Sequence, residues 1–505
     1  MFYRNMLQQG GSAVDGAIAA LLCTSLVNPQ SMGIGGGSIV TIRNKTGSVK
    51  VYNFRETVPR SFKPNLLGDC PSTFRFSKGS QWIGVPGELR GYEELHKQYG
   101  KLPWAKLFEP TIRLAREGFP VPAFLGRALS FDMVKAHVEK SALCEIFCNK
   151  NKTVLSAGDV LKFPQLAETM ETIAKQGAQA FYTGKIGHDL IQDIKAAGGT
   201  LTMEDLKSFQ VKVSDAWVVP LGDAQMYIPP PPSGGPLLAF ILRIMKEFSL
   251  TPQSLVGDKK IQTYHHYVEA AKFANGQKRN IHDPDFDNKK SADHLIDPSF
   301  INQIKKMISS DRTHNISYYD NVRPSQDHFG TTHVSVLDED GLVVSATSTI
   351  NQLFGGAVYS SRTGIILNNE LADFCNRATT VRAGEQPPSS MAPVILETKS
   401  GGVLAIGGSG GSMITAGVAL SIINRLWLGM NLKDAIAAPI VFVDSKNNVY
   451  LEDHFDKCVV DGLKGLGHDV GNWKYFFNVV NAVEKENSCI TAVSDSRKFG
   501  MSAGY

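Results

Sequence analysis

The stretch QDHFGTTHVSVLDEDGLVVSATSTIN, from Gln326 to Asn351, is the part of the chain on which the fold prediction depends. It contains two runs of alternating apolar residues joined by Asp-Glu-Asp-Gly, a pattern that predicts a β-hairpin. The hairpin starts with Gly-Thr-Thr-His, in which Thr331 is the first threonine. A threonine that opens a strand is ordinarily structural, so a chemical role for Thr331 needs a further argument.

That argument concerns the base that a threonine hydroxyl requires before it can act as a nucleophile. His333 lies two residues along the same strand face, but nothing in the strand directs its ring back toward Thr331. If the chain is cut before Thr331, the new α-amine has a reference pKa of roughly 7.7–8.0 and can serve as the base. The polar segment 309–330 is predicted to be an exposed loop where a cut can occur, and Gly330 hinders attack least.

Helical and strand patterns alternate along the rest of the chain. An Ala- and Leu-rich run from Ser12 to Val27 predicts a buried helix, and SIVTIRN with SVKVYNFRE predicts a hairpin. Residues 87–187 carry apolar side chains at helical spacing, and PPPPSGGP (229–236) leads into the apolar helix LLAFILRIMKEF. After residue 330 the runs HVSVLD, LVVSATS, PVILET and VLAIGG predict strands. This mixture predicts a layered α/β or α+β sandwich.

Composition narrows the functional classes. The chain has 505 residues, of which 43% are hydrophobic and 20% charged, as in globular proteins. Its formal net charge of +4 is small for this length and argues against nucleic-acid binding as the main activity. It has no run of 18 apolar residues, so no membrane span is predicted, and its N-terminal residues match neither a signal peptide nor a transit peptide.

The seven cysteines show no zinc-binding spacing. Cys144 and Cys148, in LCEIFC, are close enough to form a small disulfide loop in an oxidising compartment, although two reduced thiols fit the spacing equally well. N-x-[ST] sequons at Asn44, Asn151 and Asn315 are candidate glycosylation sites and permit a secreted or luminal location.

The run GGSGGS, residues 407–412, allows two interpretations. Ser409 fits the nucleophile elbow of a serine hydrolase, with Asp444 or Asp453 and then His468 following in workable order. The surrounding glycines serve equally well as a nest of backbone N–H groups that faces an anion, and this second interpretation is favoured.

A possible metal site lies in YHHYVEAAKFA, where His265 and Glu269 are four residues apart on a predicted helix. No third ligand with suitable spacing is evident in the sequence, so we expect a solvated helix face.

Three further motifs have side chains suited to an amino acid. Arg55 follows a predicted strand and could clamp a carboxylate with two hydrogen bonds. Glu370 and Asp373 are three residues apart in NNELADF and could hold an ammonium group. The serines of QPPSSMAP follow two prolines that restrict their direction.

In combination, GTTHVSVLDEDGLVVSATSTIN, GIILNNELADF, QPPSSMAP and GGSGGSMIT closely resemble the γ-glutamyltranspeptidases (glutathione hydrolases). Upstream, GGSAVDGAIAALLC, MGIGGG, NFRETVPR and YHHYVEAAKFA add to the resemblance, which covers the chain from about Leu7; LCEIFC is similar to the animal members. The resemblance implies an α+β fold, the four-layer αββα sandwich of N-terminal-nucleophile hydrolases. It also implies self-cleavage between Gly330 and Thr331 into a large subunit, 1–330, and a small subunit, 331–505, intertwined as one domain.

The resemblance also assigns site residues. Thr331 and its freed amine are implied to be nucleophile and base, Thr349 the residue that orients the nucleophile, and Gly410 and Gly411 the oxyanion hole. The remaining implied contacts hold the α-carboxylate of the substrate (Arg55, Ser389, Ser390) and its α-ammonium group (Asn351, Glu370, Asp373).

The implied reaction transfers the γ-glutamyl group of glutathione or a glutathione conjugate through a Thr331 ester to water, an amino acid or a dipeptide. No metal or organic cofactor is implied. The implied location is the extracellular face of the plasma membrane or the secretory pathway, although the anchor segment of animal members has no counterpart here. Cys23 is expected to be unpaired, because its family partner lies in that segment. Leu353 replaces a tyrosine of several relatives and is expected to affect the lid or acceptor handling.

Two alternatives remain open at this point. One is an uncleaved, inactive homologue without turnover. The other is a serine hydrolase that acts through Ser409.

Overall fold

Strands from both ends of the chain build the central layers of the protein. The structure, a computed structural model, describes residues 2–71, 78–286, 292–321, 329–473 and 477–504. The strands are β1 (Gly37–Arg43), β2 (Val49–Asn53), β3 (Phe119–Pro120), β4 (Val160–Leu161), β5 (Lys212–Asp215), β6 (Trp217–Pro220), β7 (Ala224–Ile228), β8 (Thr332–Leu337), β9 (Val343–Thr349), β10 (Tyr359–Ser360), β11 (Ile365–Ile366), β12 (Val394–Thr398), β13 (Val403–Ser409), β14 (Val441–Val443), β15 (Val449–Leu451), β16 (Val470–Gly471), β17 (Val479–Glu486) and β18 (Cys489–Ser494).

Helices occupy most of the chain between these strands. They are α1 (Phe2–Gln8), α2 (Ala13–Val27), α3 (Glu88–Tyr99), α4 (Trp104–Glu117), α5 (Ala123–Ser130), α6 (Asp132–Glu139), α7 (Cys144–Phe147), α8 (Pro164–Gln176), α9 (Gln179–Tyr182), α10 (Lys185–Ala196), α11 (Met203–Ser208), α12 (Gly235–Lys246), α13 (Asp258–Gln277), α14 (Pro298–Met307), α15 (Ile414–Leu426), α16 (Leu432–Ala437) and α17 (Lys457–Gly465).

The predicted hairpin forms β8 and β9 and belongs to the first large sheet, whose strand order is β5-β2-β1-β9-β8. Its turn closes where Gly341 donates its N–H to the carbonyl of Asp338, and Gly341 has φ +83°, which suits glycine. β9 also pairs antiparallel with β1 along its whole length. The hairpin is therefore a central part of the fold.

A second large sheet, with the order β18-β17-β13-β12-β7-β6, packs against the first. Val343 of β9 meets Ile395, Ala405 and Val483 of the second sheet in a buried cluster. Burial of one such aliphatic side chain contributes about 1.5–3 kcal/mol. The two inner layers are thus held together by the alternating apolar face of each strand.

Helices cover the outer face of each sheet. α2 packs on β8 and β9, and its N-terminus has a capping box in which Asp15 N–H donates to Ser12 Oγ at 3.1 Å. α12 and α15 cover the second sheet, and α13 packs on α12. The predicted four-layer αββα sandwich is confirmed.

The segment before the predicted cleavage point differs from expectation at its end. Asp311 and Arg312 are exposed as predicted, and residues 316–319 form a short 3-10 helix. Residues 322–328 lie outside the described residues. Phe329 and Gly330, however, are buried, and the Phe329 ring packs edge-on against Trp473. Tyr319 and Asn321 are buried as well. The prediction of an exposed loop is therefore wrong at these four residues, which pack into the interior.

Two disulfides pair four of the seven cysteines. Cys144 and Cys148 are bonded, as one of the two open interpretations predicted. A second disulfide joins Cys70 to Cys375 across 305 residues of sequence and was not predicted. Among the described residues Cys23 forms no disulfide. Every described helix is too short or too polar to cross a membrane.

Candidate active site

Thr331 lies at the open end of the first sheet, immediately before β8. Because Thr332 pairs with Ser348, antiparallel pairing brings Thr331 next to Thr349, the last residue of β9. The Thr331 hydroxyl donates to Thr349 Oγ1 at 3.2 Å, and Thr349 Oγ1 also accepts the Asn351 N–H at 2.8 Å. Thr349 can therefore set the direction of the Thr331 hydroxyl.

The peptide bond between Gly330 and Thr331 is held on both sides. The Gly330 carbonyl accepts the N–H of Gly410 at 3.1 Å, and the Thr331 N–H donates to the carbonyl of Ser31 at 3.1 Å. A Cβ at Gly330 would lie 2.0 Å from the Asn351 carbonyl oxygen, so only glycine fits there. A donor aimed at a carbonyl oxygen stabilises the oxyanion that forms when the carbonyl carbon is attacked.

Thr331 itself has a strained backbone, with φ +80°. This region is rarely occupied by a β-branched residue, and such a conformation costs of order 1–3 kcal/mol. Breaking the preceding peptide bond would release that strain. The strain is therefore located at the bond for which cleavage is predicted.

Gly410 and Gly411, the residues of the predicted backbone nest, lie at the end of β13. Both have positive φ, +119° and +57°, and α15 begins three residues after Gly411. Ser409 pairs with Val479 in the second sheet and is 4% exposed. The histidine required by the serine-hydrolase interpretation, His468, is bonded to His265 Nδ1 at 2.8 Å. Among the described residues no histidine bonds to Ser409, so that interpretation lacks its base.

A cleft with about 460 Å³ of empty space opens beside these residues. It brings together most of the side chains that the sequence singled out, although they come from distant segments. Its lining includes Thr331, Thr349, Asn351, Glu370, Asp373, Ser389, Ser390 and Gly411. Lys278, Arg377, Met391, Ser412 and Ile414 complete it and were not identified from the sequence.

Arg55 lies behind this cleft and is fully buried. Its guanidinium donates to Glu370 Oε1 at 2.5 Å and to Asp373 Oδ2 at 2.7 Å, while its Nε–H donates to the Pro387 carbonyl. Arg55 thus acts here as the counter-ion of two cleft carboxylates. Its predicted direct contact with a substrate carboxylate stays a prediction.

Burial is the main cause of the pKa shifts of the glutamates around Arg55. Burial raises the pKa of Glu370, although the nearby Arg55 guanidinium opposes the change. Burial also raises the pKa of Glu56 well above its usual value, with the charge of Glu370 adding to the effect. The raised pKa of Glu56 reflects the desolvation and mutual repulsion of carboxyl groups that share one guanidinium.

Lys498 is a further neighbour of Thr331 that the sequence analysis did not identify. Its ammonium donates to the Thr331 carbonyl at 2.9 Å and lies 5.2 Å from the centre of the Phe124 ring. Burial lowers the pKa of this amine to about 7. No local sequence signal connects Lys498 with Thr331, because 166 other residues separate them.

His333 is excluded as the base by its contacts. Its ring bonds to Thr347 Oγ1 at 2.9 Å and to Ser335 Oγ at 2.8 Å. Burial lowers its pKa to about 3, so the ring is neutral at physiological pH. His333 is a structural residue of β8.

The predicted solvated face of His265 and Glu269 is wrong, because both side chains are fully buried. They lie with His468 in a group whose ligand atoms fall within 4.8 Å of one another, an arrangement that the sequence spacing did not reveal. Lys272 donates to His468 Nδ1 at 2.9 Å and lies 3.7 Å from Glu269 Oε1. An ammonium group therefore supplies the positive charge at this location, and the cluster is a closed hydrogen-bond network.

The remaining predicted positions lie away from the cleft. Asn151 and Asn315 are exposed and Asn44 is half-exposed, so their glycosylation stays a prediction. Leu353 is 3% exposed and is not among the residues that line the cleft, so its expected effect on a lid or on acceptor handling stays a prediction.

Comparison with known proteins agrees with this geometry. The family model described as Gamma-glutamyltranspeptidase matches residues 3–505. Glutathione hydrolase 5 proenzyme of Rattus norvegicus is 47% identical over 516 residues, covering 99% of this chain and 90% of the relative. The corresponding Homo sapiens protein is 46% identical over 530 residues, with the same coverage.

Solved structures show the same fold. Cephalosporin acylase from Bacillus halodurans has a TM-score of 0.87 at 23% identity, covering 100% of this chain and 93% of that one. The gamma-glutamyltranspeptidase of Helicobacter pylori has a TM-score of 0.57 at 26% identity, covering 63% of this chain and 90% of that one. This chain belongs to the γ-glutamyltranspeptidase family.

Proposed function

We propose that this protein is a self-processing γ-glutamyltransferase and hydrolase that acts on glutathione and glutathione conjugates. The observation that carries the proposal is the Gly330–Thr331 peptide, whose carbonyl accepts the Gly410 N–H while the Thr331 hydroxyl bonds to Thr349. The names of the relatives, glutathione hydrolase proenzymes, support both the substrate and the processing.

Processing begins with attack of Thr331 Oγ on the Gly330 carbonyl carbon. A C–O bond forms, the C–N bond breaks, and the departing nitrogen keeps its own hydrogen and takes up the proton lost by the hydroxyl to become the new α-amine. Water then hydrolyses the ester, which leaves a carboxylate on Gly330 and the hydroxyl on Thr331. Gly410 N–H stabilises the oxyanion in both steps.

The products 1–330 and 331–505 would stay together as one domain. The first sheet combines β5, β2 and β1 of the large product with β9 and β8 of the small one, and the second sheet also takes strands from both. Separation would therefore break strand pairing in two sheets and expose their cores. We infer a heterodimer of the two cleavage products.

Turnover uses the freed α-amine of Thr331 as the base. The hydroxyl attacks the γ-amide carbonyl, Gly410 and Gly411 hold the oxyanion, and the amine returns its proton to the departing nitrogen of cysteinylglycine. The γ-glutamyl ester is then attacked by water, or by the amine of an amino acid or dipeptide. These steps use only groups of the chain, so we propose no cofactor.

The cleft is suited to both charged groups of a glutamyl α-carbon. Ser389 and Ser390 offer hydroxyls for the carboxylate, and Asn351, Glu370 and Asp373 offer oxygens for the ammonium group. A site that hydrogen-bonds both groups rejects a compound that lacks either, because the buried partner is then left unpaired.

We also infer the extracellular face of the plasma membrane or the secretory pathway as the location. Two disulfides are typical of an oxidising compartment, and two of the three sequons lie on exposed asparagines.

Denaturing electrophoresis under reducing conditions tests the proposal. We expect two bands, a small product that begins at Thr331, and release of nitroaniline from a γ-glutamyl anilide. Thr331→Ala should abolish both processing and turnover, whereas Ser409→Ala should retain some of each. A single uncut band without release would instead support the inactive homologue.

A further inference from the structure

Arg377 stands out among the cleft residues because its guanidinium is unsatisfied. Its Nε and Nη2 atoms are buried and have no hydrogen-bond partner. No carboxylate oxygen in the described part of the chain forms an ion pair with it; Asp373 affects it only as a nearby charge. Buried charged donors without partners are costly, so such a group indicates a place for an absent ligand.

The two vacant donors lie on the same edge of the guanidinium. Nε–H and Nη2–H are parallel and form the fork that binds both oxygens of a carboxylate. The same edge of Arg55 is already occupied by the Pro387 carbonyl, Asp373 and the Pro388 carbonyl. Arg377, which lines the cleft, therefore has a two-donor edge without a hydrogen-bond partner, whereas the same edge of Arg55 is occupied.

The backbone holds Arg377 near the predicted ammonium-binding residues. Its N–H donates to the carbonyl of Phe374 at 3.0 Å, at the end of the 3-10 helix Glu370–Phe374. Cys375, two residues earlier in the chain, is joined to Cys70 by a disulfide. The backbone of Arg377 is therefore held in place, and a fixed backbone limits which ligands the side chain can reach.

The charges around the cleft favour an anion at this point. Arg55 already pairs with Glu370 and Asp373, and Lys278 adds another cationic side chain to the lining. Burial lowers the pKa of Arg377 to about 10, which leaves it charged at neutral pH.

We propose that Arg377 is a substrate-binding residue whose guanidinium fork binds a carboxylate in the cleft. This inference rests on the proposed function. A γ-glutamyl peptide offers two such groups, the α-carboxylate of the glutamyl moiety and the C-terminal carboxylate of the peptide. Either would satisfy Nε–H and Nη2–H together.

Three γ-glutamyl donor substrates distinguish the α-carboxylate from the C-terminal carboxylate. A γ-glutamyl anilide carries the α-carboxylate alone, glutathione carries both carboxylates, and glutathione with an amidated C-terminus again carries the α-carboxylate alone. KM and kcat are measured for the wild type, Arg377→Gln and Arg377→Lys. Arg382→Gln is the matched control, since Arg382 lies on the same loop, is 54% exposed and bonds to the Phe286 carbonyl.

Loss of a charge-assisted pair should raise KM about 10- to 100-fold. An increase for all three donors identifies the α-carboxylate, and an increase for glutathione alone identifies the peptide carboxylate. Arg377→Lys should recover part of the loss, because it keeps the charge without the fork. A KM change below about twofold for every donor, or a fall in kcat alone, would overturn the inference.

Different results would contradict the proposed function and the role of Arg377. A wild-type chain that stays uncut and releases no anilide contradicts the proposed function. Calorimetric binding of glutamate, glutathione and its amide then tests Arg377 without turnover. Equal binding by the wild type and Arg377→Gln in that assay would overturn the inference independently.

Discussion

The backbone N–H of Gly410 donates a hydrogen bond to the carbonyl oxygen of Gly330, with 3.1 Å between nitrogen and oxygen. Gly330 precedes β8 of the first sheet and Gly410 follows β13 of the second sheet. The two glycines are 80 positions apart in sequence. The Gly410 N–H therefore faces the carbonyl of the predicted cleavage bond, and by the proposed mechanism it also stabilises the oxyanion formed from the substrate carbonyl. Processing and turnover should depend on it together.

Gly410→Ala tests this dependence. A Cβ at Gly410 would lie 2.8 Å from Asn478 Cα at φ +119°, so the N–H must move. We expect processing and turnover to slow by about 10²–10³-fold, the usual effect of losing an oxyanion donor. The rate is measured as conversion of the precursor band.

Gly401→Ala is the control for backbone strain, because Gly401 also has positive φ, +85°, but open space around its Cβ position. Normal processing of Gly410→Ala, or equal slowing in both variants, would contradict the role of the donor.

Thr349→Val should separate orientation of the nucleophile from binding. Valine keeps the branched shape but removes the oxygen that accepts the Thr331 hydroxyl and the Asn351 N–H. We expect kcat to fall about 10- to 100-fold with a small change in KM, because one or two net hydrogen bonds are lost.

Thr347→Val is the matched control in the same strand, since its hydroxyl bonds to His333 instead. Comparable losses of kcat in the two variants would indicate a general effect on β9. Unfolding temperatures of both variants are measured in parallel.

The Cys70–Cys375 disulfide should join the two processing products covalently, because its cysteines lie on opposite sides of residue 330. Without reductant we expect one band near the 55.0 kDa of the whole chain, and with reductant two bands. Cys375→Ser should give two bands under both conditions.

Cys144→Ser should leave the unreduced single band intact, because its disulfide lies within one product. Two bands from the wild type without reductant would refute the covalent link. One band under both conditions would show instead that cleavage has not occurred.

His333 should make the fold sensitive to acid. Its folded-state pKa is lowered from 6.5 to about 3, so between these values the unfolded chain binds a proton that the folded chain does not. Stability should therefore be complete above pH 6.5 and decline as the pH falls toward 3. His333→Gln should flatten this decline and keep turnover at neutral pH.

Calorimetric unfolding temperatures at several pH values test the prediction, with His188→Gln as an exposed control. Loss of turnover in a folded His333→Gln variant would instead return His333 to the list of candidate bases.

Much of the local structure could be read from the sequence. The alternation in β8 and β9, the Asp-Glu-Asp-Gly turn and the capped α2 all follow from interactions between residues near in sequence. The nest at Gly410 was likewise indicated by its glycines. By contrast, the helical spacing of His265 and Glu269 suggested a solvated face, and packing of α13 against neighbouring elements buried them.

The sequence by itself determined that Thr331 opens a central hairpin, and its motifs identified the family. Only the tertiary structure decided which distant groups lie around that residue: Gly410 at the Gly330 carbonyl, Lys498 at the Thr331 carbonyl, and Arg55 buried behind the cleft. It also decided the Cys70–Cys375 pairing and left the Nε and Nη2 atoms of Arg377 buried without a hydrogen-bond partner. The physical reason is that these contacts depend on how two sheets and their loops pack, and local periodicity contains no record of partners far away in the chain.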